Sequence, residues 1–184
     1  MHKPPHVIEI FLQPGELYFG DRDTRIRTVL GSCVSLTLWH PQLLIGGMCH
    51  YMLPGRGRPA AGTLNGKYAD EALALLLQEI KAAGTHPREY ELKLFGGGNM
   101  FPRLVKAGDC RDVPCKNVLA GRALAARHGF AVKAEHLGGV GHRNVIFDLW
   151  SGHVWVRQAR AAPDSAACAG TRAQMPMAVR RSAA

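Results

Sequence analysis

The chain has 184 residues, of which 47% are hydrophobic and 20% charged, and its formal net charge is +9. This length suits one globular domain, and Gly or Pro interrupts the apolar stretches well short of the roughly 20 residues of a membrane span. The N-terminal stretch MHKPPHVIEIFLQPGELYFG lacks the unbroken apolar core of a secretory signal, so we predict a cytoplasmic protein without membrane insertion.

The first third of the chain has the pattern of a β-rich region. VIEIFL and ELYFG predict two short strands separated by Gln13-Pro14-Gly15. TVLGSCVSLTLW and LLIGGMCHYML follow, joined at His40-Pro41, and they predict a hairpin of buried strands. The loop PGRGRPAAGTLNG then has the Gly/Pro-rich composition of segments that line functional sites.

Two later segments have helical patterns. From residue 67 to residue 83 apolar side chains recur on one helical face, with Asn65 as the predicted N-cap and Gly84 as the C′ residue. A second helix is predicted after Pro114 and should stop at Gly129.

The remaining segments predict strands. ELKLFGGGNMF is a strand that enters a glycine turn, and FAVKAEHLGG, RNVIFDLW and HVWVR follow, with a tight turn at Ser151-Gly152. The order lacks the regular strand–helix alternation of a doubly wound fold. It predicts an α+β layered domain with mixed β-sheets and two main helices.

The positive charge is concentrated at the C-terminus. From residue 157 onward the chain contains five arginines and one aspartate, which gives this segment a net charge of +4. Its composition, rich in Ala and poor in large apolar residues, predicts disorder. We therefore expect a folded domain over residues 1–157 and a basic disordered tail over residues 158–184. The other positive charges form no basic run, so nucleic-acid binding is not expected.

The five cysteines, with no export signal, are expected to be reduced thiols. Cys110 and Cys115 could join Cys49 or His50 at a metal, but their C-x4-C spacing differs from the usual C-x2-C zinc pairs. We therefore expect no metal. The glycine clusters at residues 96–98 and 138–141 lack the spacing of nucleotide-binding loops and are expected to form turns near a site.

Cys33 and His50 form the candidate chemical pair. Gly31 before the cysteine permits close approach of a substrate, and the predicted hairpin permits His50 to lie across from Cys33. An imidazole beside a thiol makes a nucleophile for acyl transfer. Ordinary packing is the alternative for both residues, and it is the expected role of Cys49, which should face the opposite side of its strand.

Three motifs together resemble the CheD family of chemoreceptor glutamine deamidases. They are LGSCVSLTLWHPQLLIGGMCHYMLP, KLFGGGNMF and LGGVGHRNVIFDLWSGHVWVR, and the similarity extends from about Ile8 to Arg157. The resemblance implies a cysteine hydrolase that converts receptor glutamines to glutamate through a thioester. It also implies a fold similar to that of deamidating toxins of the cytotoxic necrotizing factor type.

The resemblance assigns the catalytic residues. Cys33 falls on the family's nucleophile and His50 on its base. The family also has a catalytic threonine shortly upstream of the cysteine. Thr28 is the nearest threonine in this chain, while strict register places Arg27 at that position.

Other residues are expected to shape the site or to contact a partner. Gly31 and Ser32 are candidates for shaping the oxyanion site, and Asn99 and Arg143 are candidate contacts for substrate or partner. The segment VPCKN keeps only the asparagine, Asn117, of a glycine-rich segment in relatives.

The resemblance also implies the partners. These are methyl-accepting chemotaxis receptors and, in some bacteria, a CheC-type phosphatase. The alternative to catalysis is therefore a non-enzymatic adaptor that binds receptors or this phosphatase. The reaction requires no cofactor.

Overall fold

A computed structural model describes residues 3–57, 62–101, 110 and 112–159. Most of the predicted tail, from residue 160 onward, lies outside these ranges. The described elements are β1 (Ile8–Phe11), β2 (Leu17–Gly20), β3 (Thr24–Leu30), β4 (Val34–His40), β5 (Ile45–Cys49), α1 (Ala69–Ala82), a short 3-10 helix (Pro87–Glu89), β6 (Glu91–Gly96), α2 (Val113–Arg127), β7 (Ala131–Leu137), β8 (Arg143–Asp148) and β9 (His153–Gln158).

The strands form two mixed sheets. One has the order β1-β3-β8-β9 and the other the order β2-β5-β4-β6-β7. Each sheet contains one parallel pair, β1 with β3 and β6 with β7, and its other neighbours are antiparallel. The predicted α+β class with mixed sheets and two main helices is confirmed.

The five-stranded sheet lies between the helices and the four-stranded sheet. On its helical face, side chains of β4 and β6 pack with α1 residues such as Leu73 and Leu76. On its other face, Met48 of β5 packs with Ile26 and Phe147 of the four-stranded sheet. Consecutive side chains of a strand point alternately into these two cores, so the position of a residue along β5 determines which core its side chain enters.

The sequence predicted that the run TVLGSCVSLTLW forms one strand, and this prediction is wrong. The run is divided between β3 in one sheet and β4 in the other, and the bend at Gly31–Ser32 connects them. Gly31 permits this bend to pack closely, since a Cβ there would lie 3.1 Å from the sulfur of Met100. Cys33 therefore lies where the chain passes from one sheet to the other.

The predicted C-terminal ends of the two helices are confirmed, but the predicted N-cap of the first helix is not. Gly84 and Gly129 adopt positive φ angles of 68° and 70° just after α1 and α2. The predicted N-cap of α1 is wrong: Tyr68 occupies that position, and Asn65 instead accepts the N–H of Lys67 at 3.0 Å. Neither α1 nor α2 is long and apolar enough to cross a bilayer, nor is any other helix in the described ranges.

The structure contains a disulfide between Cys110 and Cys115. The expectation of reduced thiols is wrong for these two residues, whose Cα atoms lie 5.2 Å apart. The alternative metal site loses two thiol ligands to this bond. Cys33 and Cys49 are free thiols, and Cys168 lies outside the described residues.

Candidate active site

Cys33 is held by the glycine turn that follows β6. Its carbonyl accepts the N–H of Gly97 at 2.8 Å, and the carbonyl of Gly31 accepts the N–H of Gly98 at the same distance. Gly96, with φ of 121°, passes so close to the Cys33 carbonyl that a Cβ would overlap it. The glycine cluster thus fixes the backbone of a partly exposed thiol.

His50 is buried directly after β5, and its ring is held by a threonine of the other sheet. Nδ1 of His50 lies 2.7 Å from Oγ1 of Thr28, which also lies 2.9 Å from the carbonyl oxygen of Leu12. The carbonyl can only accept, so the single Thr28 hydroxyl proton goes to Leu12, and Oγ1 accepts the N–H of Nδ1. This tautomer leaves the lone pair on Nε2, which has no hydrogen-bond partner among the described residues.

Cys33 and His50 project from the same face of the five-stranded sheet. Val34 and Tyr51 form an antiparallel pair joined by two N–H···O bonds of 3.1 and 3.0 Å. In this register Ser35 lies opposite His50, and Cys33 is two residues from Ser35. Cys33 and His50 are therefore diagonal neighbours, a relation in which residues lie roughly 7–8 Å apart at the backbone and side chains can meet.

The environment keeps both groups neutral at rest. Burial raises the pKa of the Cys33 thiol, partly opposed by a hydrogen bond with the Ser32 side chain. Burial also lowers the pKa of His50, opposed by the Leu12 carbonyl and the charge of Glu16. The resting pair is thus a thiol beside an imidazole base, and the proton transfers when the sulfur attacks.

The connection between β3 and β4 also offers a backbone donor. In the part of the chain that the structure describes, the Cys33 N–H has no hydrogen-bond acceptor. Gly31 and Ser32, the two residues predicted to shape an oxyanion site, form the bend just before it. A free N–H next to the nucleophile can bind the negative oxygen that forms during attack on a carbonyl.

Asn117 of α2 was missed as a site residue. Its side chain is fully buried, and Nδ2 donates to the carbonyls of Ser32 at 3.1 Å and Met52 at 2.8 Å. The hydroxyl of Tyr51 donates to the Asn117 carbonyl at 2.7 Å. The only signal in the sequence was that VPCKN keeps this asparagine.

Arg143 is not at the surface, which corrects its assignment as a direct contact. Its side chain is buried and donates to the backbone carbonyls of Gly96, His136 and Gly138. Burial lowers its pKa. Arg143 therefore ties the ends of β6 and β7 together below the glycine turns.

Asn99 shapes the exposed turn beyond Gly98. Its backbone N–H donates to Gly139 at 2.8 Å, and its side-chain oxygen accepts the N–H of Phe101 at 2.8 Å. The next residue, Met100, packs over Gly31. Asn99 thus lies near the connection between β3 and β4 that contains Cys33, in a position compatible with a contact to substrate or partner.

Cys49 faces away from this site, as predicted. It is buried in the core between the five-stranded sheet and the helices, and burial raises its pKa to about 12. Within the described ranges no cluster of three or more His, Cys, Asp or Glu side chains is arranged to hold a metal.

Comparison with known proteins gives consistent matches. The family model described as CheD chemotactic sensory transduction matches residues 52–158. The probable chemoreceptor glutamine deamidase CheD of Pseudomonas fluorescens (strain SBW25) is 53% identical over 157 residues, which cover 85% of this chain and 88% of that protein. The probable chemoreceptor glutamine deamidase CheD 3 of Dechloromonas aromatica (strain RCB) is 52% identical over 153 residues, 83% of this chain and 89% of that protein.

Proposed function

Because the chain belongs to the CheD family, we propose that it is a cysteine hydrolase that deamidates glutamine side chains of methyl-accepting chemotaxis receptors to glutamate. The observation that carries the proposal is the orientation of His50. Its Nδ1 is held by Thr28, and its Nε2 is unpartnered among the described residues on the sheet face that also carries Cys33.

The first half of the reaction forms a thioester. Nε2 of His50 accepts the Cys33 proton while the sulfur attacks the glutamine carboxamide carbon. The carbonyl oxygen becomes an oxyanion and is bound by the Cys33 N–H. When the tetrahedral intermediate collapses, the carbon–nitrogen bond breaks and His50 returns the proton to the departing ammonia.

The second half releases the product. A water molecule gives a proton to His50 and attacks the thioester carbon, and the sulfur leaves and recovers that proton. The sum is glutamine plus water giving glutamate plus ammonia. The thiol supplies the nucleophile and the imidazole moves each proton, so the steps require no cofactor.

Thr28 acts through the ring of His50. The Nδ1–H···Oγ1 bond keeps the proton on Nδ1, and it stabilises the imidazolium that forms during both halves of the reaction. The hydroxyl is itself oriented by the Leu12 carbonyl. We therefore propose Thr28, rather than Arg27, as the third member of the site.

The proposal also includes a cytoplasmic location and a fold of the cytotoxic necrotizing factor type. The match to the CheD chemotaxis family supports the location. The layered α+β arrangement with two mixed sheets supports the fold. Superposition on an experimentally determined toxin structure would test the latter.

The test is incubation with a purified receptor cytoplasmic fragment, followed by peptide mass spectrometry for amide-to-acid conversion. We expect conversion by the wild type and none by Cys33→Ala. Cys49→Ala is the matched control, since it removes a free thiol on the opposite sheet face, and it should remain active. A Cys33→Ala protein that still converts glutamines would contradict the mechanism.

Binding without catalysis is the alternative function. If Cys33→Ala retains receptor binding and restores chemotaxis to cells that lack the protein, an adaptor for receptors or for a CheC-type phosphatase is the better description.

A further inference from the structure

We propose that Asn117 is a positioning residue that orients the Ser32–Cys33 peptide, so that the Cys33 N–H serves as the oxyanion donor. This inference rests on the proposed deamidation. It assigns a role to a helix residue that need not touch the substrate.

Asn117 connects the two backbone segments that carry the reacting groups. One N–H of its side-chain amide goes to the carbonyl of Ser32, directly before Cys33, and the other goes to the carbonyl of Met52, two residues after His50. Asn117 is 0% exposed, so water does not readily replace either bond. A single planar amide therefore sets the distance between the two segments.

The bond to Ser32 also determines where the next N–H points. In a trans peptide the carbonyl and the following N–H point in opposite directions. When the Ser32 carbonyl is held toward Asn117, the Cys33 N–H must point away from it. No acceptor in the described ranges takes this N–H. The donor is thus directed and kept free beside the nucleophile, as a preorganised oxyanion site requires.

The bond to Met52 supports the same geometry from the other strand. In the register of Val34 with Tyr51, Met52 lies opposite Cys33. Asn117 thus binds both sides of the strand pair at the level of the nucleophile. The hydroxyl of Tyr51 binds the backbone carbonyl of Asn117 and so holds the helix in place. The side-chain amide of Asn117 is held separately, by its own two hydrogen bonds.

These separate anchors give a matched control. Tyr51→Phe removes the hydroxyl bond to the Asn117 backbone and leaves both side-chain bonds. It should lower stability with little effect on turnover. Asn117→Ala removes the two side-chain bonds and leaves the Tyr51 bond. It should lower turnover strongly.

Two readouts separate positioning of the oxyanion donor from general damage to the site. The first is kcat and KM for deamidation of the receptor fragment. The second is the rate of Cys33 alkylation by iodoacetamide across pH, in a background where Cys49 and Cys168 are both replaced by Ala. Alkylation requires the thiol but forms no tetrahedral oxyanion.

For Asn117→Ala we expect kcat to fall roughly 10²-fold, near the loss seen when one oxyanion donor is removed, with KM changed by less than about threefold. The alkylation rate and its pH midpoint should stay close to those of the wild type. If Asn117→Ala does not fold by circular dichroism, Asn117→Ser is used, since its hydroxyl is too short to reach both carbonyls.

The contrary results are distinct. Unchanged kcat in a folded Asn117 variant would overturn the positioning role. A parallel fall of kcat and alkylation would show that Asn117 maintains the thiol itself, which would also overturn the assignment to the oxyanion. A wild-type protein that alkylates normally yet never deamidates would instead end the proposed function.

Discussion

Replacement of Thr28 by valine tests the His50 orientation most directly. Valine has nearly the same shape as threonine but cannot accept the proton of Nδ1. The Oγ1 of Thr28 contacts His50 at 2.7 Å and Leu12 at 2.9 Å, and the residue is buried, so no solvent molecule readily replaces the hydroxyl.

The magnitude follows from the charge that His50 acquires. During attack the ring becomes an imidazolium, and a hydrogen bond to a charged group contributes about 1.5–3 kcal/mol. Each 1.36 kcal/mol changes a rate tenfold, so loss of the bond predicts a decrease in kcat of roughly 10- to 150-fold. Valine also leaves the ring free to place its proton on Nε2, which would prevent it from acting as a base.

The assay is the initial rate of amide-to-acid conversion on the receptor fragment. Thr28→Ser retains the hydroxyl and should stay within several-fold of the wild type. Arg27→Ala tests the alternative register. Arg27 points outward and pairs with Glu9 at 2.7 Å in an exposed ion pair, so this change should have little effect. A folded Thr28→Val protein with wild-type kcat, or a large loss in Arg27→Ala alone, would refute the reasoning.

Three further predictions follow from the same structure. Because burial lowers the pKa of His50 and the base must be neutral, the acid limb of kcat/KM should have its midpoint below the ordinary histidine value of 6.5; a midpoint above 6.5 in a pH–rate profile would contradict this. Arg143→Met leaves three backbone carbonyls without their buried donor and should lower the free energy of unfolding by about 2–4 kcal/mol in urea titration, whereas His153→Met at an exposed site should change it little. Gly96→Ala combines a positive φ with overlap at the Cys33 carbonyl, so it should reduce both stability and deamidation, while Gly57→Ala, with open space around it, should cost only its backbone strain.

Much of the fold could be predicted because local patterns determine it. The strands around His40-Pro41, the two helices and the hairpin at Ser151-Gly152 appear as predicted from apolar periodicity and turn residues. The break at Gly31 could not be seen in the same way. The apolar residues on both sides of it are buried in two different cores, and composition does not distinguish one buried strand from two.

The residues of the site likewise differ in how far the sequence could predict them. Spacing alone left Thr28 and Arg27 as alternatives, although the alternation in TRIRTVL contains the answer: Ile26, Thr28 and Leu30 face the core, so Arg27 faces outward. Asn117 had no such local signal. Its two acceptors are 85 and 65 residues away in sequence, and only the packing of α2 brings them together.

The reacting groups and the residues that orient them belong to different layers of the fold, and this has a consequence for how the site can fail. Thr28 belongs to the four-stranded sheet, while Cys33 and His50 flank strands of the five-stranded sheet and Asn117 belongs to the helices. The Thr28–His50 bond and the Asn117–Ser32 bond therefore both cross between layers. Phe147 belongs to the core cluster between the two sheets, against which Cys33 also packs. Phe147→Ala should loosen the Thr28–His50 bond before the chain unfolds. Deamidation should then decline at temperatures below the unfolding midpoint of the variant. A comparable cavity at Ile80, in the core between the five-stranded sheet and the helices, should leave the loss of activity coincident with unfolding.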